Sequence, residues 1–277
     1  MIYIIFVLGL IFGSFLNAFE WRFSQKIDSS GNRVKIGKNK SKNLSIIYGR
    51  SMCPNCKHEL FSLDLTPVVS WLFLKGKCRY CGVRISAQYP FVEISTAFLF
   101  VFSFFFYKST LHTIPNYLLF ANLLILILGF IVLCLFDIKK YLLPSRIIYF
   151  LLITSFLLLL AVSLIESDLH LLFIRIMNSL FFGLIFYSIY KFSNGKWLGG
   201  GDVRLAFLLG LQLSSFSFIP LCLFLSSITG LIYILGSNYF TSKELKKMIP
   251  FGPFLMLSCL ISIFFGKLLI NWYLHLL

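Results

Sequence analysis

The sequence predicts an all-α polytopic membrane protein, with about eight transmembrane helices and a small cytoplasmic zinc-binding domain between helices 1 and 2. Three observations lead there. Of the 277 residues, 58% are hydrophobic and 13% are charged, about half the charged fraction of a soluble domain. Apolar runs approaching the roughly 20 residues needed to cross a bilayer recur along the chain. Between the first two runs stand two Cys-x-x-C pairs, Cys53–Cys56 and Cys78–Cys81.

The runs fall at roughly 2–20, 91–107, 116–136, 146–165, 170–190, 203–217, 218–236 and 251–274. The first lacks a basic n-region and a small-residue cleavage site, and Arg22 and Lys26 follow it. That pattern belongs to a retained helix with its N-terminus outside. The sixth run is short, with Pro220 close to its exit. With eight crossings, the segments 21–90, 137–145, 191–203 and 237–250 share the cytoplasm. Every Lys and Arg then lies in or beside them except Lys108, Arg175 and Lys267. This positive-inside distribution accounts for the formal net charge of +15 and sets aside nucleic acid as a partner. Three domains result: 1–20, the first transmembrane helix; 21–90, a basic loop and the cysteine domain; and 91–277, the membrane-embedded remainder. Within the second, Ser24 to Arg50 is rich in Lys, Ser, Asn and Gly and reads as a solvated linker, with anionic lipid as its functional alternative.

The 21 residues between the two Cys-x-x-C pairs match a four-cysteine zinc site. Each turn brings two thiolates onto one tetrahedral ion, and four protein ligands close it, so the metal is structural. A reducing cytoplasm argues against disulfides, and no thioredoxin-like context supports a redox pair. Cys134, Cys222 and Cys259 stand alone in apolar runs and read as packing residues.

Two acids stand at run ends on the same predicted face. Asp202 follows Gly199-Gly200-Gly201, and Asp137 lies in Phe136-Asp137-Ile138-Lys139-Lys140. Ionisable groups at membrane depth mark function, and two converging carboxylates that share a proton activate a water. The plainer reading of Asp202 is a loop residue that caps the next helix. The glycine run is expected to let the backbone bend sharply and approach a substrate strand. Asn17, Asn122 and Asn178 are expected to bond between helices, and Arg175 to snorkel outward.

Together these motifs resemble the type IV prepilin peptidases. In order they are Gly13-Ser14-Phe15-Leu16-Asn17 with Arg22, the two cysteine pairs, and Leu65-Thr66-Pro67 with Trp71 between them. Leu74-Lys75-Gly76-Lys77 leads into the second pair, and Tyr89-Pro90-Phe91-Val92-Glu93 follows it. Then come Asp137 with Leu143-Pro144, Gly199-Gly200-Gly201-Asp202-Val203-Arg204-Leu205, and Pro250-Phe251-Gly252-Pro253-Phe254. Arg204 stands where the family usually has Lys, and Ser145 where it has an acid or Asn. The resemblance implies a bacterial inner-membrane aspartyl peptidase with Asp137 and Asp202 as its catalytic pair. Glycines 199–201 would form a site-shaping loop, with Glu93 and Arg204 as possible contacts to substrate or cofactor. The implied substrate is a type IV prepilin or type II secretion pseudopilin, cut at the cytoplasmic face. The implied partners are the pilus or secretion assembly machinery and the lipid bilayer. The implied cofactors are structural zinc and S-adenosylmethionine, the latter for N-methylation of the new terminus. The alternatives are a peptidase of the signal-peptide-peptidase type, a proton-coupled transporter using the two aspartates as a relay, and an inactive assembly scaffold.

Overall fold

A computed structural model describes residues 1–26, 51–53, 55–240 and 249–275 of the chain. From residue 27 on, the basic stretch 24–50 lies outside the described residues. Among those residues the secondary structure is helical, with two isolated β-bridges and no strand. The helices are α1 Ile2–Ser24, α2 Val69–Phe73, α3 Gln88–Tyr107, α4 Ile114–Lys140, α5 Ser145–Ile165, α6 Leu169–Phe192, α7 Gly200–Gln212, α8 Phe218–Phe240 and α9 Gly252–Leu274. Two units form: residues 1–110 with 123–136, and 111–122 with 137–277.

In the first unit, α1 and α3 are antiparallel and touch backbone to backbone. A Cβ on Gly9 would lie 2.5 Å from the Ala97 Cα, and one on Gly13 would lie 2.6 Å from the Glu93 Cα. One turn further on, Asn17 Nδ2 donates to the Tyr89 carbonyl at 3.1 Å. Small residues every fourth position allow this approach, and lipid supplies no hydrophobic drive to replace it. Gly13→Ala should destabilise the α1–α3 pair by about 1–3 kcal/mol, because backbone rather than a mobile side chain blocks the new methyl. Thermal unfolding in detergent reads that loss.

In the second unit, α7 packs against α6, α5 and α9. Seven helices among the described residues are long and apolar enough to cross a membrane. The predicted sixth span, 203–217, departs from expectation: helix stops at Gln212, after 13 residues. That is about 20 Å of helix, against a hydrocarbon core of about 30 Å. A helix that ends early leaves carbonyls unpaired, and a bilayer has no water to satisfy them. Here α6 supplies the donors. Arg175 donates to the Gln212 carbonyl at 2.9 Å, and Asn178 to the Leu213 carbonyl at 2.9 Å. Ser179 donates to the Phe207 carbonyl at 2.7 Å, and Asn122 donates to the Gln212 side chain at 3.0 Å. Arg175, expected to snorkel outward, reaches the end of a neighbouring helix. From Gly200 beside Tyr190 to Gln212 beside Arg175, α7 runs back along α6. It is thus a short, capped helix antiparallel to α6. Close approach is again built from glycine: a Cβ on Gly210 would lie 2.7 Å from Ser179 Cα, and one on Gly183 would lie 2.4 Å from the Phe207 ring.

Candidate active site and metal centre

Asp137 occupies the last turn of α4. The helix stops four residues on, where Tyr141 takes the left-handed conformation (φ 53°) and donates its N–H to the Asp137 carbonyl. The Asp137 side chain is buried. Its Oδ2 accepts the Gly252 N–H at 3.1 Å, and Gly252 opens α9. A helix N-terminus presents unpaired N–H groups and a partial positive charge, which suits a carboxylate.

Asp202 occupies the first turn of α7, three residues after its N-cap, Gly199. Its carboxylate bonds to the Gly199 backbone, one half of a capping box. It therefore caps its own helix from within rather than from a preceding loop, and it is half-buried. The structure brings it within electrostatic reach of Asp137, 65 positions earlier in the sequence (202 − 137).

The glycines work differently from expectation. None of residues 199–201 has a positive φ, and Gly200 and Gly201 lie inside α7 rather than in a loop. Gly201 matters for space, since a Cβ there would lie 2.9 Å from Leu143 Cβ. The same Leu143 side chain would lie 3.5 Å from a Cβ on Gly252. Leu143 is thus wedged between the glycine preceding Asp202 and the glycine bonded to Asp137. Sequence reasoning quoted Leu143 and Gly252 within motifs but gave neither a role. The signal was present in Leu143-Pro144 and in a glycine flanked by prolines two residues before and one after.

Arg204 is exposed and donates to the Ser145 hydroxyl at the start of α5. The two departures from the family pattern therefore face each other across α5 and α7. Glu93 belongs to the first unit. It is buried, and its Oε2 accepts the Val68 N–H at 2.7 Å.

The four cysteines converge: the Sγ atoms of Cys53, Cys56, Cys78 and Cys81 all lie within 4.8 Å of one another, with Cys53 and Cys81 at 3.9 Å. Tetrahedral zinc with bonds of about 2.3 Å needs sulfurs about 3.8 Å apart, so the donor set fits that ion. The two turns are near copies. Lys57 and Gly82, each four residues after the first cysteine of its pair, have φ of 57° and 70°. Each pair is closed by a bridge, Met52 with Glu59 and Lys77 with Arg84. His58 stacks on Tyr80 at 3.7 Å, the Tyr80 hydroxyl donates to Asp64 at 3.1 Å, and Arg79 pairs with Asp64 at 2.9 Å. These contacts tie one turn to the other around the four sulfurs.

Comparison with known proteins agrees with this arrangement. Residues 7–107 match the bacterial peptidase A24 N-terminal domain, and residues 123–235 match the type IV leader peptidase family. The chain is 31% identical to a prepilin leader peptidase/N-methyltransferase of Aeromonas salmonicida, covering 98% of this chain and 93% of that one. It is 30% identical to the protein of that name from Bacillus subtilis, covering 99% and 98%. A Pseudomonas aeruginosa counterpart is 28% identical over 97% and 92%. No solved structure matches. Two family models match most of the chain in tandem, and relatives about 30% identical align with it over nearly their whole length: the chain belongs to the type IV leader peptidase family.

Proposed function

We propose that this protein is an integral membrane aspartyl endopeptidase that removes the leader of a type IV prepilin or type II secretion pseudopilin. The observation that carries the reading is the pairing of Asp137 and Asp202 at two helix ends, with Gly252 donating to one of them. One carboxylate takes a proton from water, whose oxygen attacks the scissile carbonyl carbon. The other, protonated, donates to the carbonyl oxygen. Collapse of the tetrahedral species breaks the C–N bond, and the departing amine takes up a proton. The two acids act as a unit, so base and acid are roles of the pair. By the charge distribution of the chain, the site opens at the cytoplasmic face of the inner membrane. A substrate with a basic leader and an apolar segment presents its boundary there, and assembly machinery takes the mature product.

Zinc belongs to Cys53, Cys56, Cys78 and Cys81, whose role is to hold residues 51–86 together. The purified chain should carry one zinc ion, by metal analysis. Cys78→Ser should lose it and make that segment sensitive to protease, since the cysteine module has little core without its ion. Methylation of the new terminus with S-adenosylmethionine rests on the names of the relatives, and no residue set is assigned to that cofactor.

The test is leader removal from a prepilin in membranes carrying the wild-type chain, followed on a gel and by mass spectrometry of the new N-terminus. Cleavage with a gain of one methyl group supports both activities. Cleavage without it supports the peptidase alone. No cleavage of either prepilin or pseudopilin by a well-expressed chain overturns the reading.

A further inference from the structure

The segment between the two cysteine pairs does not behave as part of a fully solvated domain. In α2, Val69, Leu72 and Phe73 follow the i, i+3, i+4 spacing of one helix face, and they are 45%, 61% and 83% exposed. The opposite side is tied down: Trp71 Nε1 donates to the Ile85 carbonyl at 3.2 Å, and its ring lies against Gly76. An apolar face in water is unfavourable, so its depth relative to the membrane matters.

Depth can be read from α1. No Asp, Glu, Lys or Arg occurs among residues 2–19, and Glu20 and Arg22 are the first charges. Glu93 packs level with Gly13, seven residues before Glu20, or about 10 Å further into the apolar stretch. Glu93 carries the only charge in α3, and its carboxylate is met by the Val68 N–H. Val68 holds φ at +60°, a strained conformation for a β-branched residue. The chain therefore dips to reach a carboxylate at membrane depth, and α2 begins at the next residue. Lys75 and Lys77 follow, both exposed.

We propose that residues 65–77 form a monotopic anchor, with Val69, Leu72 and Phe73 seated among acyl chains and Lys75 and Lys77 at anionic phosphates of the same leaflet. The chemistry is that of an interfacial segment, in which buried apolar area adds to attraction for anionic headgroups. The cysteine module would then lie on the bilayer rather than hang from a tether. The proposal does not depend on the peptidase assignment.

The full chain with p-benzoylphenylalanine at Phe73 is reconstituted in vesicles of phosphatidylcholine and phosphatidylglycerol, irradiated and weighed intact. Retained zinc reports folding, and the same label at Leu72 repeats the test at a second position. The expected result is a mass gain of one phospholipid at both positions, enriched in phosphatidylglycerol, with none for a label at Glu59. A label at Phe98, on exposed α3 surface, should also take lipid and serves as the positive control. The proposal is overturned if Phe98 labels lipid while Leu72 and Phe73 do not, or if they crosslink to protein instead. Equal labelling of the two lipids overturns the headgroup half.

Discussion

Asp137→Asn and Asp202→Asn should each lower the rate of prepilin cleavage by at least about 10³-fold, and the double variant should be no slower than the worse single. Groups that act as one unit are strongly non-additive, because either loss removes the whole function. Asparagine keeps the shape of each side chain. At Asp137 its carbonyl oxygen still accepts the Gly252 N–H that now bonds Oδ2 at 3.1 Å. At Asp202 it still accepts from the Gly199 backbone. The fold should therefore survive while proton transfer to and from water is lost. Cleavage rates under single-turnover conditions, beside melting temperatures of the same preparations, measure the two consequences separately. Near-wild-type cleavage by both variants would remove the aspartate pair from the chemistry and bring the transporter and scaffold readings forward.

Much of this arrangement was legible before any coordinates. The cysteine module is local: the spacing of Cys53, Cys56, Cys78 and Cys81 is nearly a statement of the site, and the four sulfurs do converge. The two aspartates stand out in the sequence because carboxylates are costly beside apolar runs, so their presence demands a reason. The extent of α7 was not legible. Hydropathy counts apolar side chains, and Leu213 and Phe216 carry the run past Gln212 although Ser214, Ser215 and Ser217 stand among them. What permits the helix to stop is a donor set on another helix, Arg175 and Asn178, which depends on tertiary contact alone. Arg175 shows the same limit, since a cation in a span has two cheap solutions, the water interface or a carbonyl of a neighbouring helix. Sequence cannot choose between them without the neighbour.

The glycines carry the same lesson closer to the chemistry. A glycine run suggests backbone freedom, yet Gly199, Gly200 and Gly201 keep ordinary negative φ. At Gly201 the requirement is absence of volume, imposed by a residue 58 positions earlier in the chain (201 − 143), while Gly199 and Gly200 meet only ordinary contacts. Glycine is therefore needed here for packing, as at Gly9 and Gly13 on α1, and not for a turn. A flexible loop would tolerate an alanine, whereas a packed helix start beside a fixed leucine resists one.

That difference supports a prediction with a built-in control. In Gly252→Ala the new Cβ would stand 2.6 Å from Asp137 Oδ2, closer than real contacts allow, so the carboxylate must move. A misplacement of about 1 Å in a catalytic group costs about 10²-fold in rate, so kcat should fall by about that factor while substrate KM changes little. In Gly201→Ala the obstacle is Leu143 Cβ at 2.9 Å. Overpacking of this kind costs about 1–3 kcal/mol, or about ten- to a hundredfold if it is expressed in the reaction. Leu143→Gly removes the obstructing Cβ together with the rest of the side chain. It should therefore restore much of the activity lost in Gly201→Ala, a coupling that a double-mutant cycle measures. The same Leu143→Gly should not rescue Gly252→Ala, because there the alanine meets Asp137 itself and Leu143 lies at an ordinary 3.5 Å. Rescue of both variants, or of neither, would mean that the two glycines act through a shared movement of the helix ends. Rescue of Gly201→Ala alone would separate the wedge that sets the position of Asp202 from the helix start that holds Asp137.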